Sequence, residues 1–129
     1  AVMEEIKFYR CDICGNIITK IIDGGPIPFC CGQKMTELIA DSSDGAAEKH
    51  VPVIEIDGEV VTVKVGEAPH PMIEEHYIQW ICLHTEKGVQ FVHLNPGDAP
   101  EAVFTVAPDD AVIEAFDYCN IHGLWVSRL

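Results

Sequence analysis

The stretch Tyr118–Gly123 reads Tyr-Cys-Asn-Ile-His-Gly, which puts a thiol and an imidazole three positions apart, directly before a glycine. Side chains at this spacing can bind one metal ion from a single loop. Two donors do not complete a metal site in a protein, so further ligands must come from elsewhere in the chain. The stretch therefore predicts a domain that folds to carry distant side chains to Cys119 and His122.

All six histidines follow residue 49, and three upstream ones are suited to join this loop. His50 lies where a loop enters a strand, His70 stands between two prolines that fix its backbone, and His76 heads the next strand. Each of them, taken alone, is more often structural than ligating. Together with His122 and Cys119 they exceed the four ligands of structural zinc and suit a five-coordinate iron with one vacant position.

The remaining two histidines and one further cysteine are assigned to the fold. The sequence predicts a surface position for His84 and a core or edge position for His93. Cys82 alternates with Ile78 and Trp80, so we interpret it as a small buried apolar residue.

From residue 50 onward, short apolar runs are separated by turns. Val61, Val63 and Val65 alternate with polar residues, and Asp57-Gly58 is a two-residue hairpin signal. No convincing helical periodicity occurs. Seven short antiparallel strands at this spacing predict an immunoglobulin-like β-sandwich; they are Val51–Ile56, Glu59–Val65, Tyr77–His84, Val89–Leu94, Ala102–Ala107, Val112–Tyr118 and Leu124–Arg128.

A second group of donors lies near the start of the chain, where four cysteines fall within 21 residues: Cys11, Cys14, Cys30 and Cys31. Cys-x-x-Cys-Gly is typical of a metal knuckle, in which the glycine takes a positive φ. Adjacent cysteines in extended backbone point to opposite sides, so Cys30 and Cys31 share one metal only if the backbone turns sharply between them. Zinc and iron both remain open on chemistry alone.

The chain is expected to form two domains. Residues 1–37 form a small cysteine-ligated metal domain, with short strands at Ile17-Ile18 and Ile21-Ile22 and a turn at Asp23–Pro26. Residues 38–129 form the sandwich, and the polar segment Asp41–Ala47 reads as a linker or loop.

Bulk composition limits the possible partners. The 129 residues carry a formal net charge of −13, which argues against nucleic acid and anionic membranes as partners. No apolar run approaches the roughly 18 residues of a spanning helix, and no signal peptide is visible at Ala1–Glu5. Clustered cysteines are more often metal ligands than disulfides in a reducing compartment. We therefore expect a cytoplasmic protein.

These motifs resemble a known family. The adjacent cysteines resemble the desulforedoxin-type (rubredoxin-like) iron site, and three segments together resemble superoxide reductase: Glu48–Pro52, His70–Met72 with His76, and Cys119–Trp125. The whole chain resembles the two-iron form, desulfoferrodoxin. The resemblance implies one iron held by the four cysteines of the first domain, and a catalytic iron with four equatorial histidines and an axial cysteine; the latter are His50, His70, His76, His122 and Cys119.

The resemblance also implies an activity and partners. The protein is expected to reduce superoxide to hydrogen peroxide with electrons from an external donor such as rubredoxin, and to form a homodimer. Lys49 is expected to attract superoxide and order the water that protonates the product, and Glu48 to occupy the sixth position in the resting state and assist product release. Calcium is a further candidate as a structural ion. The alternatives are a non-enzymatic two-iron electron carrier and a zinc-stabilised binding module.

Overall fold

The computed structural model describes residues 5–129, in which nearly all regular secondary structure is β-strand. These residues form two compact units; the first ends at Ile39, and the second runs from Ala40 to Leu129. The all-β prediction is confirmed. Among the described residues, the helical structure is too short and too polar to cross a membrane.

The first unit contains two small antiparallel sheets. Its strands are β1 (Phe8–Arg10), β2 (Ile17–Thr19), β3 (Phe29–Cys30), β4 (Gln33–Lys34) and β5 (Thr36–Leu38). β1 lies between β2 and β5, and β3 pairs with β4. A buried cluster of Tyr9, Cys11 and Met35, with Cys30 against it, forms the core of this unit. A core of this size needs an additional cross-link such as a bound metal to fold.

One predicted strand of the first unit is absent. Ile17-Ile18 begins β2 as predicted, but Ile21-Ile22 lies in a bend with both side chains exposed, at 91% and 75%. The Asp23 carboxylate accepts hydrogen bonds at 2.9 Å from the Lys20 ammonium and from the Gly25 N–H. These bonds close a polar turn immediately after the isoleucines, so turn chemistry outweighs their β-propensity.

The second unit has the seven strands that the sequence predicts. They are β6 (Pro52–Asp57), β7 (Val60–Val65), β8 (Ile78–Thr85), β9 (Gly88–His93), β10 (Glu101–Thr105), β11 (Val112–Cys119) and β12 (Gly123–Arg128). A three-stranded sheet in the order β10-β7-β6 and a four-stranded sheet in the order β12-β11-β8-β9 form the sandwich. Every pair in these sheets is antiparallel.

The sandwich core follows the alternation read from the sequence. Val61, Val63 and Val65 are at most 1% exposed and join one buried cluster with Ile81 and Leu83 of β8. Cys119, at the end of β11, belongs to the same cluster. The core therefore extends to the loop on which the metal-site prediction rests. Cys82 is fully buried, as predicted.

A single helical turn, α1 (Ala47–His50), was not expected, because four residues are too few to show helical periodicity. It is closed by the Val51 N–H, which donates to the Ala47 carbonyl at 2.9 Å. The start of the preceding polar segment is also fixed, since Asp41 N–H donates to the Leu124 carbonyl and its carboxylate accepts from Val126 N–H. Two hydrogen bonds to β12 therefore fix the start of the segment that leads to His50.

The surface position predicted for His84 is wrong. His84 is 8% exposed, and its Nδ1 lies 2.7 Å from a carboxylate oxygen of Glu114, which also accepts a hydrogen bond from Arg128. These three residues are neighbours across β8, β11 and β12. The prediction considered one strand at a time, so it missed the polar cluster of His84, Glu114 and Arg128, which forms only when three strands pair in register.

Candidate metal centres

The four cysteines of the first unit surround one point. Their sulfur atoms all lie within 4.8 Å of one another. Sγ of Cys30 is 3.6 Å from that of Cys14 and 3.9 Å from that of Cys31. A metal ion bound by four thiolates at about 2.3 Å would place neighbouring sulfurs about 3.8 Å apart in a tetrahedron. The donor set and its spacing therefore fit a tetrahedral metal ion.

Backbone geometry explains how adjacent cysteines face one ion. Cys31 has a φ of 53°, in the left-handed region that few non-glycine residues adopt, and Gly32 follows with a φ of 77°. The sharp turn predicted between these ligands is therefore present. Gly15, after the first pair, has a φ of 84°, as predicted for the knuckle.

The pKa values of these thiols also fit a site that binds a cation. The Cys14 N–H, 3.5 Å from the Cys11 sulfur, lowers the pKa of Cys11 to about 6. By contrast, the neighbouring sulfurs of Cys14, Cys11 and Cys30 raise the pKa of Cys31 to about 12. Once one thiolate has formed, the others resist ionisation because like charges repel. A bound metal ion removes this repulsion.

At the other site, four imidazole rings form a square at one end of the sandwich. Ring centroids of neighbouring corners are 4.6 Å apart for His50 and His70, 4.7 Å for His70 and His76, 5.2 Å for His76 and His122, and 4.8 Å for His122 and His50. The diagonal from His50 to His76 is longer, at 6.4 Å. The rings thus enclose a single central point.

Each donor arrives from a different element. His50 ends α1, His70 follows β7, and His76 forms an isolated bridge with Ile73 just before β8. Cys119 ends β11, and His122 lies in the turn before β12. The structure thus brings together all five predicted donors, which are spread over more than 70 residues of sequence.

Hydrogen bonds fix which nitrogens face the centre. Nδ1 of His50 donates to the Ala46 carbonyl at 2.7 Å, and Nδ1 of His70 donates to the Pro71 carbonyl at 2.6 Å. A carbonyl only accepts, so each neutral ring carries its proton on Nδ1 and presents a bare Nε2. These two Nε2 atoms nevertheless lie 3.1 Å apart, and Nε2 of His50 is 3.2 Å from Nδ1 of His122.

Such close lone pairs need a cation between them. Adjacent ligands bound at about 2.1 Å and at right angles would have nitrogens about 3.0 Å apart, close to the observed spacing. Nε2 of His76 is buried and has no hydrogen-bond partner among the described residues. Buried polar atoms are rarely left unpaired. The orphaned nitrogen and the facing lone pairs fit a metal ion bound at this point.

Burial keeps three of the imidazoles neutral. It lowers the pKa of His70 to about 4 and also lowers the pKa of His50 and His76. His50 and His70 are 2% and 3% exposed. Neutral imidazole is the form that binds metal, so the site is prepared for a cation at neutral pH.

Cys119 supplies the single thiol of this site. One donor atom from each of His50, His76, Cys119 and His122 lies within 4.8 Å of the others. Burial raises the pKa of Cys119, whereas the backbone N–H groups of His122 and Ile121 lower it by hydrogen bonding to its sulfur. A metal ion would complete the stabilisation of the thiolate that these two amides begin.

Gly45 and Trp125 also shape the site, and sequence reasoning gave neither a role. A Cβ on Gly45 would lie 2.9 Å from Cγ of His122 and 3.0 Å from Cε1 of His50. The Trp125 ring stacks on His50 with centroids 4.9 Å apart. Trp125 lies within the quoted motif, but Gly45 lies in a polar segment that carries no signal for such a contact.

The two predicted catalytic residues take different directions from α1. Lys49 is exposed, and its ammonium is one of the neighbouring charges that help burial to lower the pKa of His50 and His76. Lys49 is also the chain neighbour of His50, which belongs to the ring of histidines. Successive helical residues are about 100° apart, so Glu48 points roughly away from His50. Glu48 lines a surface cavity of about 600 Å³ with Pro52 and Glu67.

Comparison with known proteins gives the same family for both units. The family models for the N-terminal domain of desulfoferrodoxin and for desulfoferrodoxin match residues 3–38 and 42–128. A desulfoferrodoxin homolog of Archaeoglobus fulgidus is 47% identical over 124 residues, covering 96% of this chain and 98% of the relative.

Proteins named as superoxide reductases are also similar. That of Thermococcus kodakarensis is 44% identical over 105 residues, covering 68% of this chain and 91% of the relative. The crystal structure of the superoxide reductase from Treponema pallidum matches with a TM-score of 0.82 and 38% identity, covering 97% of this chain and all of that one. The chain therefore belongs to the desulfoferrodoxin family.

Proposed function

We propose that this protein is a superoxide reductase, which converts superoxide to hydrogen peroxide by adding one electron and two protons. The observation that carries this function is the ring of four imidazoles around one point, with a single buried thiol beside it. The family match gives the chemistry that such a donor set supports. The physiological role is the detoxification of superoxide.

The protein carries two iron sites. We assign the first to residues 1–37, with Cys11, Cys14, Cys30 and Cys31 as ligands. We assign the catalytic iron to residues 38–129, with His50, His70, His76, His122 and Cys119 as ligands. When bound there, ferrous iron supplies the single electron that superoxide accepts.

The protein groups around the second site would bind the metal and orient its ligands, and they do not themselves react. The carbonyls of Ala46 and Pro71 hold two rings with Nε2 directed to the centre. Cys119 is the one anionic donor, and its negative charge favours release of electron density toward the metal. His76 and His122 are only partly buried, so this side of the ring borders solvent, and we propose that superoxide enters from there.

Lys49 is the residue that we propose attracts the substrate. The protein carries a net charge of −13, which repels an anion. The Debye length is about 8 Å at physiological ionic strength, so a lysine at the site counts for more than distant acidic groups. Its ammonium would also order the water that delivers protons to the product.

Glu48 is the second proposed catalytic residue, with a role in product release. In this structure it lines the cavity beside β6 and Glu67. Successive helical residues are about 100° apart, so the proposed role requires the Glu48 side chain to turn from this direction toward the ring of histidines.

Partners and compartment complete the proposal. An external donor, such as a rubredoxin-like protein, would return the oxidised iron to the ferrous state. A homodimer and a structural calcium ion are further expectations from the resemblance, and a cytoplasmic location is the expectation from the composition and the clustered cysteines. Reduced cysteines at both sites suit a reducing compartment.

The test is a pulse of superoxide on the reduced protein, followed by measurement of hydrogen peroxide and of the iron spectrum. A superoxide reductase forms one peroxide per superoxide consumed and oxidises one equivalent of the second iron. An electron carrier would show no fast reaction. Metal analysis is the companion measurement, since a zinc-stabilised module would be colourless.

A further inference from the structure

We propose that Asn120 is a positioning residue for the second iron, because it clamps the loop of His76 to the loop of Cys119 and His122. The inference rests on the proposed function only in taking these three residues as ligands. Asn120 itself does not contribute a donor atom to the centre.

Three hydrogen bonds form the clamp. The Asn120 side-chain oxygen accepts from Tyr77 N–H at 2.9 Å, and its side-chain nitrogen donates to the Glu75 carbonyl at 3.0 Å. The Asn120 backbone N–H donates to the Tyr77 carbonyl at 3.2 Å. An N–H group on one side and a carbonyl on the other fix the orientation of the amide, since its oxygen must face the donor and its nitrogen the acceptor.

The two side-chain bonds bracket one ligand. Glu75 and Tyr77 are the chain neighbours of His76, so the amide of Asn120 holds the peptide units on both sides of that histidine. His50 and His70 are oriented differently, by hydrogen bonds from their own Nδ1 atoms to carbonyls. Among the described residues, no hydrogen bond to a ring nitrogen of His76 is seen.

Asn120 thus does for His76 what a carbonyl does for the other two rings. Outer partners of metal ligands commonly bond the ligand ring itself. Here the partner holds the backbone that carries the ring. The direction of the His76 side chain then follows from its fixed backbone and its rotamer.

The clamp lies where the sheet stops. β11 pairs with β8 up to Cys119 and Ile78, with a register irregularity between Tyr118 and Cys119. Beyond this point the regular ladder no longer joins the two segments. One backbone bond, from Asn120 N–H to the Tyr77 carbonyl, and the two side-chain bonds of Asn120 join the segments as far as Glu75. The side chain therefore contributes two of the three bonds that set the position of His76 relative to Cys119.

The experiment compares Asn120→Ala and Asn120→Asp with Asn95→Ala in the iron-loaded full chain. Asn95 is an exposed asparagine whose backbone N–H, which the substitution keeps, bonds to Asp98. The readouts are the thiolate-to-iron absorption band, the midpoint potential and the affinity of the second iron, with the spectrum of the four-cysteine iron as internal reference. Hydrogen exchange at the Tyr77 amide is measured in the same samples.

We expect Asn120→Ala to lower the affinity for the second iron by roughly 10- to 100-fold, to displace its band and potential, and to speed Tyr77 exchange by roughly tenfold. Asn120→Asp keeps the acceptor for Tyr77 but sets a carboxylate against the Glu75 carbonyl. It should displace the band and potential while the Tyr77 amide stays protected. Asn95→Ala should change none of these.

A native band, potential and iron affinity in Asn120→Ala would overturn the proposal. If that variant fails to fold, the isosteric Asn120→Asp decides by the same readouts: displaced band and potential support the clamp, and native values refute it. None of these readouts uses superoxide. A wild-type protein that binds iron but does not reduce superoxide would therefore defeat the proposed function and leave this inference to be judged separately.

Discussion

Among the described residues, the buried cluster around the four cysteines of the first unit has three members, whereas the main buried cluster of the second unit has twelve. In the first unit, one of the three is Cys11, itself a proposed ligand, so the metal ion takes the place of a core. In the second, Cys119 is the one proposed ligand among the twelve, and the other eleven form a core of their own. We therefore expect the metal ion to be needed for folding in the first unit, and to be needed for function but not for folding in the second.

Removal of both metal ions should produce the largest difference in stability between the two units. We expect the first unit to unfold, because its small cluster cannot offset the conformational entropy of folding. The sandwich should stay folded. Hydrogen exchange after chelation measures this as loss of protection in β1 with retained protection in β8 and β11. Retained protection in β1 would contradict the comparison.

Truncation of the sandwich core should have the opposite selectivity. Leu83 is fully buried, so Leu83→Ala should destabilise the second unit by about 2–5 kcal/mol. Denaturant unfolding followed by far-UV circular dichroism measures the loss. The absorption of the four-cysteine iron should be unchanged under native conditions. Ile21→Ala is the matched control, since Ile21 is 91% exposed and should shift stability by less than about 0.5 kcal/mol.

A smaller change tests whether the scaffold fixes the second site. Gly45→Ala would place a Cβ about 3 Å from the rings of His122 and His50, so we expect reduced iron occupancy there, with the first iron retained. Metal content per chain and the two iron spectra measure this. Gly88→Ala is the control, because a Cβ there meets nothing within 4 Å. Full iron occupancy of the second site and a native spectrum in Gly45→Ala would show that the loops shift to accommodate the added methyl group without loss of the site.

The smallest expected effect is electrostatic. Lys49→Ala should slow the reaction with superoxide by up to roughly tenfold at low ionic strength, and less in salt, with the iron spectrum unchanged. Lys87→Ala removes the same charge in the turn beyond the far end of β8, about 25 Å along an eight-residue strand. It should leave the rate nearly unaltered. Equal rates for both variants and the wild type would remove Lys49 from the proposed mechanism.

Local features were predictable because they follow from short-range chemistry. The alternating valines of β7 predicted a strand and its buried face, and the adjacent cysteines predicted a sharp turn, which the structure shows as a left-handed backbone at Cys31. The hairpin signal at Asp57-Gly58 was displaced by only one residue, since the turn itself is Gly58-Glu59. Each of these depends on residues within a few positions of one another.

Features that depend on cross-strand neighbours were missed. His84 looked like a surface residue, because Glu114 and Arg128 become its partners only through the register of three strands. Gly45 gave no signal, since its contact with His50 and His122 depends on how the anchored segment passes over two loops. The helical turn α1 was too short to leave a periodic pattern.

The sequence by itself determined the types of donor and their grouping: four thiols close together near the start, and four imidazoles with one thiol spread over the rest. Only the tertiary structure decided which nitrogen His50 and His70 present, how close the four rings lie, and that Asn120 joins two of the loops that carry ligands. The reason is that donor chemistry belongs to single residues. Distances between residues far apart in the chain are set instead by sheet register and by the loops that leave it.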